Sequence, residues 1–347
     1  MATQTAPPLV ARPRVAPAVA TPQRVSVVMP THRRPEFLRK ALATLEIQTL
    51  AHDQFEVIVV ASENDAAVDV VEDFAANGIL NIRCVTIPSD PWRGRSASAK
   101  RNYGVKISTG PWIAFIDDDC LAHPGWLEGA LPLFDNPRAG GVEGRKDIPT
   151  PPRPTVTYKG LMTFTRPRGY QTCNIFYRRD VFERVGGFDN NLPYYLEDSD
   201  IAWSVLDAGY EIPHAENAVV SHPVLPGAPW KLLDDAKRAA LMPYLYKKHT
   251  AKYVGAKTRV LRGAHWIYLF VYAAIVAALA CKLWWVALGG VALVGLLVAA
   301  HAYKQFRGCD KTAHEVAVTA LLLPVVPVVK WVQLIRGNIK HKVWLWT

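Results

Sequence analysis

Apolar positions in the first two thirds of the chain fall into short runs that alternate with stretches of helical spacing. The run Arg24-Val25-Ser26-Val27-Val28-Met29-Pro30-Thr31 reads as a strand closing in a turn. From Pro35 to Gln48 the apolar residues Phe37, Leu38, Ala41, Leu42, Leu45 and Ile47 recur close to every third or fourth position, and Pro35 suits a first helical turn. Further strands are predicted at 55–60, 82–87 and 112–116, with helices at 66–76 and 96–107. Strands and helices in alternation at this spacing predict a parallel sheet covered on both faces. A helical segment follows near 126–134, and another begins at Val181 and stops at Gly186-Gly187, as glycine does at a helix end. A last helix opens on acids at Glu197, carries Ile201, Val205 and Leu206 on one face, and ends near Gly209. Residues 218–220 are strand-like.

The C-terminal third follows another pattern. Residues 266–300 are interrupted by a single charge, Lys282. One span needs about 20 apolar residues, so the stretch is too long for one and tight for two. The expected arrangement is a transmembrane hairpin, 266–281 and 283–302, with Lys282, Trp284 and Trp285 at the far interface. Lys304, Arg307 and Lys311 then lie on the side of return. Residues 316–332 contain Pro324 and Pro327 and read as a kinked helix in or dipping into the membrane, with a third span as the alternative. The expected organisation is a disordered tail (1–23), an α/β domain (24–230), a basic juxtamembrane segment (231–265), the hairpin (266–302) and the kinked helix with its basic tail (312–347).

Charge sharpens this picture. Lys+Arg 40 against Asp+Glu 30 gives a net charge of +10, and nine of the cations, from Lys231 through Arg262, precede the first long apolar run. That is a cytoplasmic juxtamembrane pattern, each cation contributing about 1 kcal/mol near an anionic leaflet. An anionic membrane surface is therefore an expected partner, and without a zinc-finger or RNA-recognition signature nucleic acid is not. The five cysteines are scattered, with no Cys-x-x-Cys pair, which fits a reducing compartment.

The candidate chemistry centres on Gly110-Pro111-Trp112-Ile113-Ala114-Phe115-Ile116-Asp117-Asp118-Asp119, a buried-strand pattern that stops at three carboxylates. In open α/β sheets ligands bind beyond the carboxyl ends of the strands. A divalent cation with bound phosphates would relieve the repulsion among the acids, and oxygen ligands suit Mg²⁺ or Mn²⁺. The competing reading is a solvated acidic loop. A second acid set, Glu197-Asp198-Ser199-Asp200, opens a helix, where the dipole alone favours negative charge.

Residues 24–222 resemble the family 2 glycosyltransferases, inverting enzymes with the Rossmann-like GT-A fold. The matching pieces stand in the family's order: 25–31 with Arg34, Ala99-Lys100-Arg101-Asn102-Tyr103-Gly104, 116–119, Val185-Gly186-Gly187-Phe188-Asp189, and 197–200. The resemblance implies that Asp119 ligates a metal, that Asp118 contacts the ribose or shares the metal, and that Asp117 supports them. His222 would complete the metal site, although a histidine after a strand is more often a core or capping residue. Asp198 would be the general base for the acceptor hydroxyl, with Glu197 orienting the acceptor. Pro30, Thr31 and Arg34 would border the nucleotide, and Arg101 would reach the diphosphate. One departure stands out: Ala61 occupies the position where the family places a base-binding aspartate, so Glu63 or Asp65 is expected to substitute. The Gln-x-x-Arg-Trp string of processive synthases has no match before the membrane runs, which predicts transfer of a single sugar.

The expected function is thus a membrane-bound glycosyltransferase on the cytoplasmic face, using a divalent metal and a nucleotide-sugar, with a uridine diphosphate sugar as the first choice. The acceptor would be a lipid or lipid-linked saccharide, in cell-envelope polysaccharide or glycolipid synthesis, with homo-oligomerisation left open. The rival is a catalytically silent GT-A module that binds nucleotide or glycan and scaffolds a membrane complex.

Overall fold

The computed structural model describes residues 24–88, 96–162, 165, 167–224, 228–256 and 259–345; the tail expected at 1–23 lies outside the described residues. The described chain packs as two units, one of residues 24–149 with 165–223, the other of 150–162 with 224–345.

The first unit is built on one sheet. In chain order its elements are β1 (Val25–Pro30), α1 (Pro35–Glu46), β2 (Phe55–Ser62), α2 (Ala67–Asn77), β3 (Ile82–Ile87), α3 (Ala97–Ile107), β4 (Trp112–Phe115), β5 (Leu121–Ala122), α4 (Trp126–Phe134) and β6 (Gly141–Asp147). After α5 (Val156–Met162), which belongs to the second unit, come β7 (Ile175–Arg178), α6 (Arg179–Arg184), α7 (Glu197–Asp207) and β8 (His214–Ser221). The strands lie in the order β3-β2-β1-β4-β7-β6-β8-β5. β1 to β4 run parallel, β7 is antiparallel to both its neighbours, and β6 and β8 are parallel to each other.

The near-continuous apolar runs of β1 and β2 are buried along their whole length, as central parallel strands require. One face is covered by Leu38, Leu42 and Leu45 of α1, Val70 and Val71 of α2, and Trp126 of α4. The other is covered by Val105 of α3, Phe182 of α6, and Ile201 and Val205 of α7. Gly104 allows α3 to approach β1, since a Cβ there would lie 2.5 Å from Val28 Cγ1.

The mostly parallel α/β sheet is the one expected, with two strands against its direction, β7 and the two-residue edge strand β5. β7 follows a long connection without a covering crossover helix in its own unit, and an antiparallel strand needs none. β6 escapes the hydrophobic pattern because Gly-Val-Glu-Gly-Arg-Lys-Asp places two charged side chains, Glu143 and Lys146, in the interior. Asn174, next to β7, joins three elements. It accepts from the Trp126 indole (2.8 Å) and donates to the Arg145 carbonyl (2.8 Å) and the Ala218 carbonyl (2.9 Å).

The second unit is helical: α8 (Lys231–Lys237), α9 (Met242–Lys248), α10 (Thr250–Gly255), α11 (Gly263–Ala280), α12 (Trp284–Phe306), α13 (Ala313–Leu322) and α14 (Val326–His341), with α5 joined to it. The Lys159 ammonium donates to the Arg307 carbonyl at 2.6 Å, which ties α5 to the end of α12. α11 and α12 are long and apolar enough to cross a membrane, and the turn between them places Lys282 at φ +56°. Their apolar side chains face outward: Phe270 is 69%, Trp285 85% and Leu296 69% exposed. So large an apolar surface is costly in water and favourable in a bilayer. α13 and α14 form a pair bent by 47° that reaches span length only if counted as one.

Asn174→Ala would leave the Trp126 indole N–H and two carbonyls without their partner. We expect a loss of about 3 kcal/mol of stability, read as a lowered unfolding midpoint of the purified chain in detergent.

Candidate active site

The acids meet where the sheet ends. β1, β4 and β8 deliver Thr31, Asp117–Asp119 and His222 from their carboxyl ends, α3 presents Lys100 and Arg101, and α7 begins with Glu197. Between them is a cavity of about 340 Å³, lined by Pro30, Thr31, Arg34, Arg101, Asp117, Asp118, Asp119, Glu197 and His222 among others. Nine of the residues singled out from the sequence therefore share one space.

Three cations balance the carboxylates. Arg101, 3% exposed, donates to Asp117 at 2.7 Å and to Glu197 at 3.3 Å, so one guanidinium joins the two acid sets. It also lies over the Phe188 ring, 5.6 Å from the centroid. In this state both terminal nitrogens go to protein carboxylates, while the buried Nε has no hydrogen-bond partner among the described residues. Arg34 Nη1 lies 3.0 Å from Asp119 and 3.5 Å from Asp118 on a half-exposed side chain. The Lys100 ammonium, almost fully buried, donates to the Thr31 carbonyl and, at 2.9 Å, to Ser62 Oγ. Burial pushes the Lys100 pKa down to about 8 against the pull of Asp65 and Asp118. Lys100 was missed in the sequence, where it sits inside a helical motif with no mark of its contacts.

Asp118 turns inward and accepts from Thr31 Oγ1 at 2.7 Å. Burial, with Asp119 adding to it, raises its pKa to about 6, although the Thr31 hydrogen bond opposes the shift. Asp119 turns the other way. Its carboxylate, Cys120 Sγ and a His222 ring nitrogen lie within 4.8 Å of one another. The hydrogen bond with Cys173 and burial hold the Cys120 thiol well above its ordinary pKa, so it stays protonated and is a poor ligand. His222 Nδ1 is 3.0 Å from the Pro223 carbonyl. A carbonyl only accepts, so Nδ1 carries the proton and Nε2 keeps its lone pair for a metal. Carboxylate and imidazole together fit Mn²⁺ or Mg²⁺. Asp118 is not part of this group.

α7 starts from Leu196 in a left-handed conformation (φ +70°), unusual for a branched residue. Glu197 then lines the cavity, whereas Asp198 is not among its lining residues and accepts from the Ser199 amide at 2.7 Å. Burial raises the Glu197 pKa to about 7, with Asp198 adding to it and Arg101 opposing. Burial also raises Asp198.

The remaining motif residues are structural. Asn102 pins the Gly-Gly-Phe turn, accepting from the Phe188 amide at 2.9 Å and donating to its carbonyl at 2.7 Å. Gly187 there has φ +68°. The two expected substitutes for the base-binding aspartate do not enter the cavity lining. Glu63 is exposed, and Asp65 is committed to the amides of Arg33 (2.7 Å) and Ala67 (3.1 Å). Ala61 is buried within β2.

Residues 26–186 match the family described as Glycosyl transferase family 2. The chain carries a family 2 glycosyltransferase domain. It is 28% identical over 214 residues to Glycosyltransferase AglE of Haloferax volcanii, covering 58% of this chain and 67% of that protein. It is 30% identical over 185 residues to Glucosyl-dolichyl phosphate glucuronosyltransferase of the same organism, covering 48% of this chain and 56% of the relative. Among solved structures it resembles the mannosyltransferase PcManGT from Pyrobaculum calidifontis in complex with GDP-Man and Mn²⁺. The TM-score is 0.52 at 19% identity, over 95% of this chain and 90% of that one. The fold of the glycosyltransferase domain is thus GT-A, followed by apolar C-terminal helices.

Glu197 provides a test of the electrostatics. Its folded pKa, about 7, lies above the ordinary glutamate range, so the folded state holds a proton that the unfolded state releases. Its contribution to stability therefore falls as pH rises through that window. The midpoint of Glu197→Gln should drop less between pH 5 and pH 8 than that of the parent, as followed by thermal unfolding.

Proposed function

We propose that the protein is a metal-dependent, inverting glycosyltransferase that moves one sugar from a nucleoside-diphosphate donor to a membrane-held acceptor. The observation that carries this reading is the joining of two acid sets across one cavity, Asp117–Asp119 at one side and Glu197 at the other, bridged by Arg101. A solvated acidic loop needs no such second set.

In this reading the acceptor hydroxyl loses its proton to Asp198 as its oxygen attacks the anomeric carbon. The bond from that carbon to the diphosphate oxygen breaks, and its electron pair leaves with the nucleoside diphosphate. One displacement from the opposite face inverts the configuration. A bound Mn²⁺ or Mg²⁺, held by Asp119 and His222, would neutralise charge on the leaving diphosphate. Glu197 borders the reacting centre and orients the acceptor. Arg34 is the mobile cation, free to leave the carboxylates for a phosphate. Thr31 and Pro30 border the nucleotide.

A lipid or lipid-linked acceptor is supported by the two apolar helices, by the basic stretch from 231 to 262, and by the relative named for a dolichyl phosphate substrate. The cations flanking the hairpin favour the cytoplasmic face. The silent-module alternative draws on Ala61 and on the exposure of Glu63.

Purified protein in a membrane mimetic, given UDP-glucose, UDP-glucuronic acid or GDP-mannose, separates the two. The enzyme should release nucleoside diphosphate from one donor with Mn²⁺, lose this release in EDTA, and lose it at least ~100-fold in Asp119→Asn. Donor binding without release under every condition, added membrane lipid extract included, would favour the silent module.

A further inference from the structure

The loop between the Gly-Gly turn and α7 is held from a single helix. Asn102 of α3 bonds both the amide and the carbonyl of Phe188. Ser98 Oγ, fully buried, donates to the Leu192 carbonyl at 2.7 Å, and Ser96 Oγ donates to the Pro193 carbonyl at 3.2 Å. Ser96 also caps α3, accepting from the Ala99 amide at 3.1 Å. The helix that delivers Lys100 and Arg101 to the cavity thus fixes residues 188–193 as well. A site whose backbone is already fixed loses little entropy when a ligand settles on it.

Tyr194 is the next residue. It lines the cavity, is 52% exposed, and makes no hydrogen bond or ring contact among the described residues. It is also the only phenyl, phenol or indole ring in that lining. A large aromatic left in water on pinned backbone contributes little to the core. Beside a cavity of charged groups it offers a flat apolar face.

The charges decide what kind of group would lie on that face. Tyr194 stands three residues before Glu197, and both line the cavity. Arg101 is the only cation paired with Glu197 among the described residues, and it is shared with Asp117. Lys100 is engaged by Thr31 and Ser62, and Arg34 by Asp118 and Asp119. No cation is left on the α7 side for a phosphate, and an anion beside Glu197 would be repelled. A phosphate monoester, with a second pKa of about 6, is moreover ionised at neutral pH and needs no base to make its oxygen a nucleophile. A sugar hydroxyl does need one. The C–H groups of a sugar ring also suit the negative face of an aromatic.

We propose that Tyr194 is the platform on which a glycosyl ring of the acceptor lies, so that the attacking oxygen is a sugar hydroxyl and not a lipid phosphate. The acceptor lipid then already carries a sugar, which an earlier glycosyl transfer must supply. In the step itself the hydroxyl gives its proton to the base and its oxygen bonds the anomeric carbon. The electron pair of the breaking bond leaves with the nucleoside diphosphate. This inference rests on the glycosyltransferase reading above and on its membrane-held acceptor.

The test uses the full chain in a membrane mimetic, with total membrane lipid extract as acceptor. Isotope-labelled UDP-glucose, UDP-glucuronic acid and GDP-mannose serve as donors, with Mn²⁺ present. Tandem mass spectrometry of the labelled lipid should show the new sugar bonded to another sugar; a new sugar bonded directly to the lipid or its phosphate overturns the proposal. Tyr194→Ala should raise the lipid concentration for half-maximal transfer about tenfold, with the donor dissociation constant within about twofold. Tyr194→Phe and Tyr194→Trp should keep the parental values, since the ring face and not the hydroxyl does the binding. Unchanged half-saturation in Tyr194→Ala overturns the platform. An equal loss of donor affinity also overturns it, giving the ring to the nucleobase. The parent keeps the two levels apart. No metal-dependent release of nucleoside diphosphate and no transfer sinks the glycosyltransferase reading itself. Release without transfer to any lipid overturns the acceptor assigned here, and transfer unaffected in Tyr194→Ala sinks only this inference.

Discussion

The structure of the site depends on one electrostatic constraint: many carboxylates share a small, partly dehydrated space. Asp117, Asp118, Asp119 and Glu197 line the same cavity, and like charges at such range repel strongly once water is excluded. Arg101 is the answer from within, with one arm on Asp117 and the other on Glu197. Around it the pieces of the domain fall into place. α3 must lie tight on β1 to deliver the guanidinium, which is why Gly104 faces Val28. The turn before α7 must present Glu197, which is why Asn102 holds Phe188 by both its amide and its carbonyl. Burial that raises the carboxyl pKa values is the same burial that strengthens each ion pair.

Much of this was legible in the sequence. The runs at β1, β2, β3 and β4 and the spacing of α1, α3 and α4 gave strands and helices close to those observed, because buried parallel strands are written as unbroken apolar runs. The acids were legible because three consecutive carboxylates after such a run have few structural explanations. Lys100, Glu143 and Lys146 were not. A buried lysine or glutamate looks like a surface residue until the partner that neutralises it is known, and those partners, such as Ser62 for Lys100 or the amide of Arg168 for Glu143, are far away in the chain. β6 was hidden for the same reason. The substitution of Glu63 or Asp65 for the missing aspartate followed from proximity in sequence. The turn after β2 instead exposes Glu63 and spends Asp65 on backbone amides.

The helical unit obeys a different solvent. In the sheet domain the large apolar side chains are inside, whereas α11 and α12 carry Phe270, Trp285 and Leu296 outward. The same sidedness reads as an error in water and as a fit in hydrocarbon. Under the proposed function, such helices would restrict the search for an acceptor to two dimensions and suit one whose apolar part remains in the bilayer.

The central claim is a single displacement at the anomeric carbon, with Asp198 taking the proton. The most direct measurement is the anomeric configuration of the first transferred sugar, read by NMR, with single-turnover rates of the parent and of Asp198→Asn measured on the same donor. The account predicts inversion in the parent, and in Asp198→Asn retained donor binding with transfer reduced at least ~100-fold. A product of retained configuration, or transfer by Asp198→Asn at the parental rate, would contradict it.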